Sequence, residues 1–281
     1  MTRRKLFCEI SPLTYAISQQ KEIWKRRLKD FFGPEKYARQ CDTSLFPILV
    51  HTHSNGVIKH GPGIDPQLQQ GKAHNIRLAC SKIDGLIIHP GETFSFWHTV
   101  GKTSRQRGFR PGRVIVNGQL TSGEGGGLCN LANTITLLVL HSPLTITELH
   151  HHSDALAPDP DGQYEPYRAG TSVNYNYIDL RFRNDTGQPV QLLTRCMNNI
   201  LQAELRTNKP FPHTYRLTAE DHHYQRLSDG SLFRHALIYR ETLDSDNGQI
   251  INRQLLRRNH SRVLYDPALV PDSQIRDLTD E

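Results

Sequence analysis

The chain has 281 residues and a mass of 32.1 kDa, a length that suggests one large domain or two small ones. Hydrophobic residues make up 36% and charged residues 22%, so the chain can bury a core and is too apolar to be disordered. Mean hydropathy is −0.56 and no apolar run approaches the ~18–20 residues that span a bilayer, which excludes a transmembrane protein. The net charge of +6 lies in residues 1–40, because the other residues hold equal numbers of basic and acidic side chains.

The first residues do not have the pattern of a signal peptide. Basic residues at 3–5 are followed by Glu9 and Pro12, where an apolar stretch of ~7–15 residues would be required. The five cysteines are odd in number and widely spaced, without a Cys-x-x-Cys pair, which argues against a disulfide framework and a thiolate zinc site. We therefore expect a cytoplasmic protein with reduced thiols.

The basic segment predicts a helix with both ends marked. Ser11 is a typical N-cap, Pro12 suits the first helical position, and Gly33 followed by Pro34 predicts the end. Apolar residues at helical spacing form one face: Leu13, Ala16, Ile17, Trp24, Leu28 and Phe31. Either this helix packs on the body with its basic side in solvent, or residues 11–32 contact an anionic membrane surface. Nucleic acid is not an expected partner, because no finger or RNA-binding motif is present.

The remaining patterns predict an α+β fold. A strand is expected at 46–50, a helix at about 66–84, a hairpin turning at Asn117-Gly118, and a buried central helix after a Gly-rich turn. Strands are expected at 145–152, 172–183, 189–196 and 200–206, followed by an antiparallel meander. Helices come early and strands late, which favours helices packed on antiparallel sheet over a doubly wound fold. We divide the chain into a basic helical segment and linker (1–70), a core domain (71–205) and a β-rich extension (206–281).

A run of glycines leads into Cys129 at the start of the central helix. Glycine at this density weakens folding, so it is used where the backbone bends sharply or approaches something closely. In the first turn of a helix, free N–H groups and the positive dipole end lower the pKa of a thiol and can bind an oxyanion. We assign the oxyanion role to the backbone at Gly126, Gly127 and Asn130. The alternative is that the glycines only allow tight packing and Cys129 is a core thiol.

A cysteine nucleophile also needs a base. His150 and His152 alternate on one face of the predicted strand, with Glu148 or Asp154 to orient an imidazole. A third alternative takes the histidines and Cys129 as a zinc site, although adjacent strand residues point to opposite faces. No metal or other cofactor is assigned.

Several stretches, in order, resemble the VanW family, named for an accessory protein of vancomycin resistance. The matching stretches are Pro90–Phe96, Val116–Gly118, Gly125–Cys129, Leu140–Leu144, Glu148–Asp154 and Gly170–Asp179. The resemblance is strongest over about 71–205. It implies a role in glycopeptide resistance and cell-wall metabolism, and some large membrane-anchored proteins with this domain act as L,D-transpeptidases.

The resemblance implies specific site residues. The nucleophile of those transpeptidases corresponds to Cys129, and the family histidines correspond to His150 and His152. Asn130 stands where many members have Gln. Our leading hypothesis is therefore a cysteine-dependent acyl transferase acting on a cell-wall peptide or muropeptide. The alternative is a non-catalytic accessory protein that binds a cell-wall precursor or membrane surface.

Four further residues are candidates for binding the substrate. Arg181 and Arg183 suit a substrate carboxylate, and Tyr177 and Asp179 lie in the same segment. As alternating strand positions, however, the two arginines are more typical of a solvated face of the sheet, and we expect them there.

Overall fold

The computed structural model describes residues 6–61, 64–116, 119–152, 154–155, 158, 164–167 and 170–277. Within these residues the α-helices are α1 (Pro12–Phe32), α2 (Pro66–Ile83), α3 (Phe96–Val100) and α4 (Leu128–Leu140). The strands of the first half are β1 (Lys36–Tyr37), β2 (Ile48–Gly56), β3 (Leu86–Ile88), β4 (Glu92–Ser95), β5 (Pro111–Val116), β6 (Gln119–Glu124) and β7 (Thr145–Glu148). Those of the second half are β8 (Asp154–Ala155), β9 (Arg181–Arg183), β10 (Val190–Met197), β11 (Ile200–Thr207), β12 (His213–Arg226), β13 (Leu232–Asp244), β14 (Ile250–Val263) and β15 (Ile275–Asp277).

The strands form three larger sheets and one hairpin among the described residues. One sheet has the order β1-β4-β9-β7, a second β2-β11-β10-β3 and a third β15-β12-β13-β14-β8, while β5 pairs with β6. Most pairs are antiparallel, and the parallel pairs involve the two- and three-residue strands β1, β8 and β15. This arrangement of helices and mainly antiparallel sheets confirms the α+β prediction.

The core is built around α4. This helix is apolar on nearly every side, so it is stable only when it is surrounded by other elements. Apart from Cys129 and Asn130, each of its residues is buried. It packs against α2, β2 and β11, and the first turn of the helix therefore has a fixed position relative to the second sheet.

Most predicted elements are confirmed. α1 begins after its Ser11 cap, which accepts a hydrogen bond from the Thr14 N–H, and it ends before Gly33. β5 and β6 form the expected hairpin, although its Asn117-Gly118 turn lies outside the described residues. The meander is present as the consecutive antiparallel strands β12, β13 and β14.

Three predicted strands are wrong in extent. The short strand expected at 46–50 is β2, which begins at Ile48 and continues to Gly56. The strand expected at 145–152 ends at Glu148, and only a bridge from His151 to Thr171 continues the pairing. The strand expected at 172–183 is limited to β9. Asn174 and Ile178 instead exchange two backbone hydrogen bonds, of 2.8 and 3.1 Å, which close a turn where the sequence alternation predicted extended chain.

The packing of α1 is the reverse of the amphipathic expectation. Ile23 is its buried residue, whereas the predicted apolar face points into solvent. The side toward the body is polar, and its Arg26 and Asp30 bind residues of β7 and β9. The prediction that the apolar face packs on the body is therefore wrong, because ion pairs from distant strands determine which side faces inward.

Candidate functional site

Close backbone approach explains the glycine run before α4. A Cβ atom at Gly126 would lie 2.3 Å from the carbonyl oxygen of Gly112, too near for any side chain. At Gly127, which has φ of 99°, a Cβ would lie 2.2 Å from Cγ of the buried Lys72. Gly125 also has positive φ, at 76°. The glycines thus let the turn pack on α2 and the β5–β6 hairpin, and this packing positions the start of α4.

Cys129 lies in the first turn of α4, as predicted. Its Sγ donates to the carbonyl oxygen of Val173 at 3.6 Å. Burial raises the pKa of the Cys129 thiol above its usual value, although its hydrogen-bond contacts act in the opposite direction. The lowered pKa expected from the helix N-terminus is therefore wrong for the free protein, because desolvation outweighs the favourable backbone groups.

The predicted oxyanion-binding backbone is partly committed to internal hydrogen bonds. The Gly126 N–H donates to the Gly123 carbonyl at 3.1 Å, and the Asn130 N–H donates to that of Gly127 at 3.0 Å. The N–H groups from Gly127 to Cys129 remain as candidates, because the first turn offers them no earlier helical carbonyl. Within the described chain, the buried side-chain oxygen of Asn130 has no hydrogen-bond partner.

Glu148 and His150 form the predicted carboxylate–imidazole pair. Nε2 of His150 lies 3.0 Å from Oε1 of Glu148. The carboxylate also accepts two hydrogen bonds of 2.6 Å from the guanidinium of Arg26 and one of 3.1 Å from the Asp179 N–H. Burial acts to raise the pKa of Glu148, but the bonds from Arg26 and His150 hold it below its ordinary value. Glu148 is therefore an anion that can orient His150 and at the same time anchors α1.

His152 and Asp154 lie further along the same segment. The His152 N–H donates to the Gly170 carbonyl at 2.7 Å. Burial lowers the pKa of the His152 ring, and the Asp154 carboxylate opposes this effect. His152 is therefore favoured as a neutral imidazole, the form that can accept a proton.

One short segment links the cysteine to the histidines. The Ser172 N–H donates to the His150 carbonyl at 2.8 Å, and the next residue, Val173, accepts the Cys129 thiol. Gly170 in turn accepts a hydrogen bond from the His152 N–H. Residues 170–173 therefore bind the side chain of Cys129 and the backbone of both histidines. The sequence did not indicate this role for the segment.

All four predicted substrate-binding residues have partners within the chain. Arg181 is 6% exposed and donates to Asp179 and, twice at 2.7 Å, to Asp30, so the solvated face expected for it is wrong. Asp179 is fully buried, and its carboxylate also accepts from Ser95 at 2.6 Å. The Tyr177 hydroxyl accepts a hydrogen bond from the Asn174 amide.

Arg183 matches the expected solvated position, and it forms an exposed ion pair with Asp185.

Two clefts among the described residues lie between α1 and the body. The larger, of about 840 Å³, lies at the C-terminal end of α1 and is lined by residues that include Arg27, His98 and Asn176. The smaller, of about 240 Å³, includes Asn174 and also Glu124, which directly precedes the glycine turn. Because Asn174 directly follows Val173, this cleft lies close along the chain to the carbonyl that accepts the Cys129 thiol. These clefts could not be predicted from the sequence, because α1 forms one wall and its orientation was unknown.

The described residues provide no metal-binding cluster of three or more His, Cys, Asp or Glu side chains. They also include no helix with the length and apolar character needed to cross a membrane. All five thiols are free.

Comparison with known proteins identifies relatives of the chain. Residues 71–206 match the family model described as VanW like protein. The vancomycin B-type resistance protein VanW of Enterococcus faecalis (strain ATCC 700802 / V583) is 29% identical over 229 residues, which cover 82% of each chain. The uncharacterized protein YoaR of Bacillus subtilis (strain 168) is 32% identical over 147 residues, which cover 49% of this chain and 46% of that protein. No solved structure matches the chain.

Proposed function

We propose that this chain is a VanW-like protein and a cysteine-dependent acyl transferase acting on cell-wall peptides, because residues 71–206 match the VanW-like family model and the chain is similar to the vancomycin B-type resistance protein VanW. Cys129 is the nucleophile, and His150 or His152 is the base. Glu148 orients His150, while Asp154 supports His152. The N–H groups that begin α4 bind the oxyanion.

The arrangement of residues 170–173 carries this proposal. The segment accepts the Cys129 thiol at Val173 and bonds the backbone of both histidines at Ser172 and Gly170. A peptide in the smaller cleft would approach along Asn174, next to the carbonyl that accepts the thiol. This segment thus binds the thiol of the proposed nucleophile and the backbone of both candidate bases, and its neighbour Asn174 lines the smaller cleft, which supports the proposal.

The chemistry follows from these positions. The histidine takes the thiol proton as Sγ attacks the carbonyl carbon of a peptide amide, and backbone N–H groups stabilise the negative oxygen. The C–N bond then breaks, the amine leaves with the proton from the histidine, and a thioester remains on Cys129. The amine of a second peptide then attacks the thioester carbon and the C–S bond breaks. The proton of the amine passes through the histidine to Sγ, which restores the thiol and completes the transfer. Burial raises the pKa of Cys129, so the thiol is protonated at rest and proton transfer accompanies the attack.

Product analysis after incubation with purified muropeptides tests this proposal. Mass spectrometry should detect rearranged or crosslinked peptides with the wild-type chain and none with Cys129→Ser. The matched control is Cys41→Ser, which changes an exposed thiol and should retain full activity. Equal turnover by the Cys129→Ser and Cys41→Ser variants would contradict a cysteine mechanism.

A second candidate function is peptide binding without catalysis. It is favoured by the raised pKa of the half-buried Cys129 thiol and by the hydrogen bonds that Glu148 accepts from Arg26 and the Asp179 N–H. Under this alternative, Cys129→Ala binds muropeptides as tightly as wild type in calorimetry, and neither protein turns them over. Binding with turnover only in the wild type would instead support the acyl transferase.

A further inference from the structure

The outward side of α1 is an apolar stripe. Leu13, Ile17, Trp24, Leu28 and Phe31 recur at helical spacing, and half or more of each side chain is exposed. A surface helix of a globular protein normally directs such residues toward the core. The exposed stripe is thus an unusual feature of the element.

Ion pairs prevent the helix from turning this stripe inward. Arg26 binds Glu148 through two bonds of 2.6 Å, and Asp30 binds Arg181 through two of 2.7 Å. Ile23 adds an apolar contact on the same side. Because these contacts all lie on the inward face, the apolar stripe is fixed toward the exterior.

Basic side chains flank the stripe. Lys21, Lys25 and Lys29 lie along one side and Arg27 along the other, and all four are exposed. An apolar stripe with basic flanks is the composition that lies in the interface of a bilayer, where lysine and arginine meet anionic headgroups. We propose that the outward face of α1 docks on a membrane surface that contains anionic lipids.

The charges favour lipid over a second copy of the chain as the occupant. Two copies packed stripe to stripe would bring the flanking lysines of one protomer near those of the other, and like charges repel. An anionic bilayer instead neutralises them and buries the aromatic rings. The exposed Phe7 and Ile10, which precede α1, add further apolar surface near its start. This inference does not depend on Cys129 or on any acyl transfer.

Sedimentation of the full chain with vesicles tests the proposal. We expect binding to vesicles of phosphatidylcholine mixed with phosphatidylglycerol, and much weaker binding to phosphatidylcholine alone. Replacing two stripe residues (Leu28→Ser, Phe31→Ser) should weaken binding by roughly tenfold or more, because both side chains would leave the bilayer. The matched control is Ile250→Ser with Ile251→Ser, which changes two apolar residues at the start of β14 that are also more than half exposed.

A charge variant and a fluorescence signal complete the test. Lys21→Glu with Lys29→Glu should abolish the preference for anionic vesicles, whereas Lys209→Glu should not. Trp24 is exposed and Trp97 is buried, so a blue shift on binding should be lost in Trp24→Phe. Absence of vesicle binding by the folded wild type would overturn the proposal. So would light scattering that shows a dimer disrupted by the stripe variant with no vesicle binding.

Discussion

At the residue scale, a buried arginine and two carboxylates connect α1 to the body. Arg181 donates to Asp30 on α1 and to Asp179 beside β9, and the side chains of Arg181 and Asp30 are each 7% exposed. Removing one partner of such a buried ion pair is strongly destabilising, because the other charge then stays buried without a partner.

We expect Asp30→Asn to lower the free energy of unfolding by about 3 kcal/mol, because Arg181 loses one of its two buried anions. Urea denaturation measures the loss. The matched control is Asp185→Asn, which removes the exposed pair with Arg183 and should change stability by less than about 1 kcal/mol. Equal effects of the two substitutions would contradict a structural role for the buried pair.

The carboxylates of Asp30 and Glu148, which bind arginines across the contact between α1 and the body, predict acid sensitivity. Burial acts to raise the pKa of Asp30, but hydrogen bonds from Arg181 and His98 and the charge of Arg181 hold it well below the ordinary range; the pKa of Glu148 is also lowered. A folded-state pKa below the unfolded value adds stability above the ordinary carboxylate range, and this stability is lost as pH falls through and below about pH 4. Thermal unfolding between pH 7 and pH 3 should show this loss, and Asp30→Asn should reduce its size. An equally steep pH dependence in Asp30→Asn would contradict the assignment.

The glycine turn makes a separate prediction. Gly126→Ala should destabilise the protein by roughly 2–3 kcal/mol, because the added methyl meets the Gly112 backbone, which cannot move freely. Gly187→Ala is the control, since a Cβ there has nothing within 4 Å. Calorimetry should separate the two variants clearly. A tolerated Gly126→Ala would mean that the close packing of this turn is not needed.

At the scale of the element, the ends of the helices depend on nearby residues, whereas the direction that a helix faces depends on residues far away in the chain. The ends of α1 and the start of α4 could be predicted, because Ser11, Pro12 and the glycines act within a few residues of the chain. The inward face of α1 could not, because its partner Glu148 lies 122 residues beyond Arg26. The strand predicted at 172–183 failed for a related reason, since alternation alone does not reveal the backbone turn between Asn174 and Ile178.

Glu148→Gln should loosen α1 without unfolding the core. The neutral amide loses the charged bonds from Arg26, so amide hydrogen exchange across residues 12–32 should accelerate by about tenfold or more. Exchange in α4 should be unchanged. Glu204→Gln, which breaks a pair with Arg206 on β11, serves as the control and should leave α1 protected. Uniform acceleration throughout the chain would instead indicate global destabilisation.

At the scale of the whole molecule, the candidate site joins parts that are far apart in sequence. The first turn of α4 provides Cys129, the segment after β7 provides the histidines, and α1 forms the outer wall of both clefts. The sequence pattern was sufficient to predict that Cys129 lies in the first turn of α4 and that Glu148 contacts His150. It was insufficient for the pKa of the thiol, which depends on burial, and for Arg181, whose partners come from another part of the chain.

The most direct test of the acyl-transfer proposal is intact mass spectrometry of the protein after brief incubation with muropeptides and acid quenching. The proposal predicts a thioester adduct on Cys129, absent from Cys129→Ala and formed more slowly in the variant of whichever histidine is the base, His150→Ala or His152→Ala. The adduct mass should equal the acyl part of the peptide after loss of the amine. Peptide binding without any adduct on the wild-type protein would contradict the acyl transferase and favour the binding function.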